Sequence, residues 1–547
     1  MALSKSYEQV LHYHETTKHF PHRAAKSLGY MDWANQPNPF RFFKDSPVVR
    51  LPFIKKDIPK PHQNLFHREG NDPQPYSLKL VAAIAELSLA LSAWKKVSGS
   101  KWSLRINPSS GNLHPTESYW LLPETESMPE GIYHYDPFSH GMVSRIQYDT
   151  SIQALVKEAY GSDGFFVLLS SIFIRESWKY GERAYRYCNH DVGHALAALS
   201  FAANLQGWQA TCLNETDDQS LHKMLGLDRI QQPKGEVEAA DVICWLHPNG
   251  SQCLSKTVPE TIINVLAQSE IIGVPEPLAK ETHPWPIIEE IDEACEKPKT
   301  APSPIFYPQF ESLPLPESSL SAPFIIRQRR SGVSFNPNQS KLSKSHFLGM
   351  LNATFPRKDL APFDLELGPP QIHPFIFVHQ VTGLEPGLYA YLRNPAVQPE
   401  LKQETKVEFQ WKRVDPQAPL YLLAPGDFRE TAAELSCKQD IAGESAFSLG
   451  MIASFKHQLQ KHPYRYKHLF WECGIIGQVL YLQAEAYGQR ATGIGCFFDD
   501  VMHEVCGFKD NRFQALYHFT IGAPTEDTRI STLKPYFHLA ELNDSVK

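Results

Sequence analysis

The feature that most constrains this chain is that it repeats itself at a fixed interval. Tyr185-Arg-Tyr, Asp191-Val-Gly193, Gly207-Trp-Gln-Ala-Thr211, Asp218 and Gly226 recur as Tyr466-Lys-His, Glu472-Cys-Gly474, Gly488-Gln-Arg-Ala-Thr492, Asp499 and Gly507. Every pair is separated by one offset, since 472 − 191, 492 − 211 and 507 − 226 all equal 281. An ungapped run of this kind is hard to reach by chance, and it predicts two copies of one α+β domain. Weaker pairs extend it: Gly131-Ile-Tyr with Gly387-Leu-Tyr, His114-Pro115 with His373-Pro374, and Phe165–Leu169 with Leu420–Ala424.

Local patterns fill in the copies. Leu80, Ile84, Leu87 and Leu91 are spaced for a helix over Leu78–Ala93. Gly131–Pro137 reads as a strand ending in a turn, Phe165–Ile174 as a buried strand, and Tyr185–Gly207 as an Ala-rich helix that Gly207 ends. Tyr7–Lys18 reads as a helix inside an N-terminal arm over residues 1–74. Residues 75–254 make the first domain and 324–547 the second. Between them, 255–323 reads as a linker, proline-rich and acidic beyond Pro275, with one short helix at Trp285–Cys295. Its length lets the two domains pack as a dimer packs.

Composition narrows the class. A chain of 547 residues, 42% hydrophobic, with a formal net charge of −7, suits a globular protein and gives no nucleic-acid footprint. The first residues show no apolar signal core, and no apolar run approaches the ~20 residues of a membrane helix. The nine cysteines, without Cys-x-x-Cys, read as reduced core thiols of a cytoplasmic protein. His12, His14, His19 and His22 lack regular ligand spacing and read as surface histidines rather than a zinc site.

One loop carries most of the chemical signal: Arg105-Ile-Asn-Pro-Ser-Ser-Gly-Asn-Leu-His-Pro-Thr-Glu117. Pro108 fixes φ, Ser109, Ser110 and Asn112 offer short polar side chains, and Gly111 permits close backbone approach. Such a loop can wrap a flat heterocycle with hydroxyls and amides; on composition alone it is an ordinary turn before a strand. The sequence Pro-Ser-Ser-Gly-Asn-Leu-His-Pro-Thr-Glu resembles the signature loop of the nitroreductase family, in its SagB/ThcOx-type dehydrogenase branch, where it lies against the isoalloxazine of FMN. The resemblance implies two fused nitroreductase-like domains, each a mixed, antiparallel-type sheet flanked by helices. It also implies an intramolecular pseudodimer with its flavin at the domain interface.

The same resemblance supplies further site residues. Arg327-Gln-Arg-Arg-Ser-Gly-Val-Ser-Phe335 is similar to the opening of a nitroreductase domain, so Arg329, Arg330 and Ser331 would hold the phosphate, ribityl chain and ring edge. Ala491-Thr-Gly-Ile-Gly-Cys-Phe-Phe-Asp499 is similar to the loop that donates a backbone N–H to flavin N5, placing Gly493, Gly495 and Cys496 there, with cysteine where glycine is usual. The losses are complementary. The first copy keeps Pro108–Asn112 but has Cys212-Leu-Asn-Glu215 at the N5 position and only Arg23-Ala-Ala-Lys-Ser27 for the arginines. The second copy has Leu367-Gly-Pro-Pro-Gln where the serines should be. One flavin site, drawn from both copies, is therefore expected.

Glu176-Ser-Trp-Lys-Tyr-Gly-Glu-Arg-Ala-Tyr-Arg186 resembles the Lys-Tyr motif of azoline dehydrogenases, which points to Lys179 and Tyr180 as proton-transfer residues, with Arg183 or Arg186 supplying a cation-rich setting. Read from residues alone, the segment is also a solvated helix face with a packed tyrosine. The expected function is FMN-dependent dehydrogenation of azolines in peptides, within a peptide-modifying complex or as a further homo-oligomer. An NAD(P)H-dependent reductase of nitro compounds, quinones or flavins is one alternative, and a non-catalytic partner subunit is the other. No metal, nucleic acid or membrane is implied.

Overall fold

A computed structural model describes residues 4–55, 59–148, 151–302, 307–308, 315–358 and 360–539. The first half runs through α1 (Lys5–Thr16), β1 (Val48–Arg50), α2 (Leu78–Ser88), the hairpin β2 (Leu91–Val97) and β3 (Ser100–Arg105), β4 (Thr116–Leu122), β5 (Gly131–Asp136), β6 (Gly141–Gln147) and β7 (Phe165–Ile172). It continues with α3 (Phe173–Tyr180), α4 (Ala184–Leu205), β8 (Trp208–Cys212), α5 (Asp218–Leu225), β9 (Glu238–Pro248), α6 (Glu260–Gln268) and β10 (Glu270–Ile271). The second half contributes α7 (Ala322–Gln328), β11 (Ile372–Val378), β12 (Gly387–Tyr391), β13 (Lys412–Arg413), β14 (Leu420–Pro425), α8 (Arg429–Leu435) and β15 (Phe447–Ser454). It ends with α9 (Arg465–Ala486), β16 (Arg490–Ile494), α10 (Asp499–Cys506), β17 (Phe513–Gly522) and β18 (Ser531–Leu533).

Two antiparallel sheets result, ordered β10-β6-β5-β4-β7-β9-β8, with β1 added on β6, and β13-β14-β12-β11-β15-β17-β16. Their six inner strands correspond one to one in order. That corrects one expected pairing, because β7, which holds Phe165–Leu169, matches β15 in position, and β14, which holds Leu420–Ala424, matches β6. It also shifts another. His373-Pro374 lies inside β11, whereas His114-Pro115 precedes β4. Leu122 faces Gly131 and Val378 faces Gly387, which aligns the loops at 378 − 122 = 256 and sets Pro108–Asn112 against Asp364–Gly368, not 367–371. The serines are absent from that stretch too.

The constant offset has a physical cause. Asp218 and Asp499 open α5 and α10, where a carboxylate favours the helix N-terminus, and Gly226 and Gly507 end them with φ of 67° and 91°, a conformation glycine adopts without steric cost. Gly193 and Gly474 lie where α4 and α9, each 22 residues long, cross. A Cβ on Gly193 would sit 2.2 Å from the Trp471 carbonyl oxygen, and one on Gly474 would sit 2.2 Å from that of His190. The pairs 193–471 and 190–474 exchange under the offset of 281, as residues do across a two-fold interface. Two buried ion pairs also exchange. The Arg186 guanidinium donates to Asp499 at 2.8 Å, and the Lys467 ammonium to Asp218 at 2.6 Å (467 − 186 = 499 − 218 = 281).

Several expected boundaries move. The segment from 255 contains α6, whose Ile262, Ile263 and Leu266 are buried in the core of the first half, and β10, which pairs with β6. The helix expected over Trp285–Cys295 spans Pro286–Ala294, and that expected over Leu78–Ala93 stops at Ser88. The arm is partly core: α1 buries Tyr7, Val10 and Tyr13 in a cluster shared by both halves and the helix Pro286–Ala294, and β1 joins the first sheet. His14 is buried between the Tyr466 hydroxyl and the Gln514 carbonyl, not on the surface. At the other end, β18 crosses to the first half and pairs with β2, forming the sheet β18-β2-β3. Among the described residues no helix is long and apolar enough to cross a membrane, and no cluster of His, Cys, Asp and Glu could hold a metal.

Candidate functional site

A cavity of about 770 Å³ opens where the halves meet, within the ~300–1,000 Å³ usual for cofactor sites. Its walls bring together every residue the sequence nominated for cofactor binding: Pro108–Asn112 from the first half, and Arg329–Ser331, Gly493, Gly495 and Cys496 from the second. The hairpin β2–β3 and residues 525–532, next to β18, close the remaining side through Lys95, Trp102, Glu526 and Thr532.

The Pro108–Asn112 loop is a short turn with Gly111 and Asn112 in the left-handed region, φ 58° and 60°. Its serines face the protein. The Ser109 hydroxyl accepts the His114 amide at 2.9 Å and lies 3.1 Å from its ring Nδ1. The Ser110 amide and hydroxyl both donate to Asp191. The serines thus build the loop, which departs from the expectation that their hydroxyls are free to wrap a ligand. Asn112 fastens the far side by donating to the Ser103 carbonyl at 2.8 Å.

Arg329 and Arg330 follow α7 and reach across to the first half. Arg329 donates to the Arg105 carbonyl at 3.1 Å, and Arg330 to that of Ser92 at 3.0 Å. Neither guanidinium has a carboxylate within ion-pair distance among the described residues, and the Arg329 Nε is buried with no partner. Burial lowers the pKa of both, to about 10 for Arg330, which Arg329 also repels. Arg329 is buried and Arg330 half-buried; the Glu485 carboxyl opposes the lowering in both but forms an ion pair with neither, and a bound anion would relieve them. Ser331 is bridged to Ala491, and its hydroxyl lies 2.9 Å from that of Tyr481, which accepts the Gly493 amide at 3.1 Å.

Tyrosines set the floor and explain the glycines. A Cβ on Gly493 would overlap the Tyr517 hydroxyl at 1.9 Å, one on Gly495 would meet Tyr187 at 2.2 Å, and one on Gly111 would meet the Tyr180 hydroxyl at 2.6 Å. Cys496, in the remaining position, points its thiol away toward Cys437.

Lys179 and Tyr180 end α3 beside Gly111. The same hypothetical Cβ lies 3.2 Å from the Lys179 Nζ, which sits 5.1 Å from the centre of the Tyr180 ring. Lys179 is exposed and Tyr180 half-buried. Burial, with Glu176, Tyr187 and Asp191 nearby, pushes the Tyr180 phenol well up, so it stays protonated and can donate. The cation-rich setting expected for Lys179 is absent. Arg183 and Arg186 are both engaged by Asp499, at 3.0 and 2.8 Å, and they hold its carboxyl well below the usual range although burial opposes this.

The sequence reading missed the residues behind the loop. Asp191 and Glu176 are buried carboxyls in contact, and burial pushes both up. Tyr187, Asp191 and His194 line the cavity from one face of α4. Their spacing of four and three in an Ala-rich helix is the signal that could have found them.

Comparison with known proteins places this geometry. The model of the nitroreductase family matches residues 72–237. A candidate nitroreductase, MJ1384, from Methanocaldococcus jannaschii is 23% identical over 122 residues, which are 22% of this chain and 62% of that protein, so the chain spans under two thirds of this curated relative. The crystal structure of a candidate nitroreductase from Anabaena variabilis aligns over 94% of this chain and 99% of its own, with a TM-score of 0.69 and 21% identity. The two share a fold over nearly their whole length. One chain of the E. coli microcin synthetase complex McbBCD, with truncated pro-MccB17 bound, aligns over 45% of this chain and 94% of its own at 16% identity. Its TM-score of 0.26 is too low to argue from.

Proposed function

We propose that this chain is an FMN-dependent oxidoreductase of the nitroreductase kind, two fused copies acting as a dimer would, with one flavin site per chain. The observation that carries the proposal is the Arg329–Arg330 pair, facing a large cavity without a carboxylate partner, opposite the Pro108–Asn112 loop of the other half. The donor set suits a flavin mononucleotide. Arg329, Arg330 and Ser331 would hold the phosphate and ribityl chain, while Gly493–Cys496 and Pro108–Asn112 would line the two faces of a flat ring. Bound there, a flavin supplies a two-electron acceptor that a second substrate can reoxidise.

The chain's own residues do the rest. The Asp191 carboxyl fixes the loop through Ser110, and the tyrosine floor excludes water. Tyr180, protonated and beside Gly111, holds a proton where a substrate over the ring would present its own donor or acceptor. Lys179 is exposed at the same edge. This arrangement favours the dehydrogenation of azoline rings in a peptide that the Lys179-Tyr180 motif implies. The test is the cofactor itself. Purified protein is expected to be yellow and to release FMN on denaturation, identified by mass spectrometry; release of FAD, or no flavin retained after reconstitution with FMN, would refute the reading. Bleaching of the flavin by an azoline peptide but not by NADPH would fix the reaction class.

A further inference from the structure

The molecule contains two close cysteine pairs, and they differ in every property that governs reactivity. Cys212 and Cys244 face each other across β8 and β9 with sulfurs 3.5 Å apart, both fully buried. Burial pushes the Cys212 thiol well up, which makes it inert. Cys437 and Cys496 come from separate elements and are both half-buried, with sulfurs 2.7 Å apart. Cys437 follows α8 in a turn where it and Lys438 both take left-handed backbone angles, φ 54° and 60°. Cys496 lies on the cavity wall, its carbonyl accepting from Gln439 at 3.3 Å.

The surroundings make the two sulfurs unequal. Contact with Cys437 lowers the pKa of Cys496; burial opposes this, and Arg183, which also donates to the Gly495 carbonyl at 3.1 Å, adds to the lowering. Contact with Cys496, then burial, pushes the Cys437 thiol up. A half-buried thiol of lowered pKa beside a second thiol is the arrangement of an attacking and a resolving cysteine.

We propose that Cys437 and Cys496 are a redox-active dithiol at the rim of the cavity that takes small disulfides as oxidant, with Cys496 attacking and Cys437 resolving. The Cys496 thiolate bonds to one sulfur of the external disulfide, whose S–S bond breaks and releases one thiol. The Cys437 sulfur then bonds to the Cys496 sulfur, its proton leaves with the departing group, and the second thiol is released. Two protein thiols are oxidised and one disulfide is reduced to two thiols. The closed form ties the Gly493–Cys496 loop to the end of α8. The proposal does not depend on which cofactor the cavity holds.

The test uses the full chain, reduced, freed of reductant, mixed with oxidised glutathione, quenched by alkylation and mapped by peptide mass spectrometry. A Cys437–Cys496 linkage that dithiothreitol reverses is expected, with Cys212 and Cys244 recovered as thiols. In Cys437→Ser a glutathione adduct should accumulate on Cys496, and in Cys496→Ser modification of Cys437 should be roughly tenfold slower or more, as the thiolate fraction dictates. Absence of the linkage in the wild-type chain would overturn the proposal without recourse to either variant. Equal adduct rates at the two positions would overturn the assignment of roles.

Discussion

Two clefts related by the offset of 281 lie between the halves, and they differ in size. At the first, α4 presents Tyr187 and Asp191 to a space of about 770 Å³. At the second, α9 presents His468 and Glu472, the same positions under the offset of 281, to about 60 Å³. The two acids hold matching helix positions but different loop residues: Asp191 accepts the Ser110 amide, and Glu472 those of Gln371 and Ile372, where β11 begins. The side chains around them differ too. Arg393 pairs with Glu472, Lys256 with Glu366, and Asn214 donates to the Glu366 carbonyl at 2.6 Å. Thr300, from the segment joining the halves, donates to the carbonyls of Asn214 and Glu215 across the position of a second N5 loop. In the second cleft Glu472 and Glu366 are ion-paired, although the His468 Nε2 is buried without a partner, whereas the first leaves two guanidiniums without an ion pair among the described residues. Duplicated backbone supplies two clefts, and the side chains around each set its volume.

The comparison breaks most decisively at the arginines. Arg330→Ala is expected to lower flavin affinity by roughly 100-fold or more, the scale of a lost charge-assisted contact to a buried phosphate. The double change Ser109→Ala, Ser110→Ala, in the other half, should weaken the same flavin by loosening the loop. Titration of the wild-type chain to two flavins, or loss of binding from one half only, would contradict a composite site. Next in size, Lys179→Ala and Tyr180→Phe should retain flavin and melting temperature while slowing substrate-driven flavin reduction by ~100-fold, as for a lost proton-transfer group. Stopped-flow absorbance checks this, and loss of flavin would make the pair structural.

A smaller effect concerns Asp191. Burial raises its carboxyl to about 8, so the folded chain keeps a proton that the unfolded chain loses near pH 4. The stability this contributes is complete below pH 4 and is lost as pH rises toward 8. Relative to Asp191→Asn, the wild type should therefore lose roughly 1 kcal/mol per pH unit across that window, read from denaturant titrations. A difference that does not change with pH would show that the carboxyl is ionised throughout. The smallest effect is expected in the closed cleft, where His468→Ala should leave flavin occupancy unchanged, measured by absorbance ratio.

The two-domain plan was legible because caps and close approaches recur. Asp218 and Asp499, Gly226 and Gly507, and Gly193 and Gly474 hold their positions for backbone reasons, and such residues survive divergence of the side chains around them. Pairings based on short apolar runs failed. Phe165–Leu169 was set against the wrong strand because buried strands of one sheet resemble each other more than they resemble their own counterparts. The segments that line the cavity were legible as segments. What they face was not: Tyr517 meets Gly493 through a contact that no local pattern encodes, and Tyr187 and Asp191 left only their spacing on α4 as a signal. The expected help of Arg183 and Arg186 to Lys179 failed for the same reason. Asp499, more than three hundred residues away in sequence (499 − 186 = 313), claims both.

The strand β18 has a consequence for how the cavity is made. It pairs with β2, and Ile530 and Thr532 on this segment line the cavity wall. On the ribosome, β2 waits for its partner while more than four hundred further residues are added (531 − 97 = 434). The loop, the arginines and the Gly493–Gly495 turn all precede this strand in sequence, so one wall of the cavity is set by a strand that returns from the second half to the first.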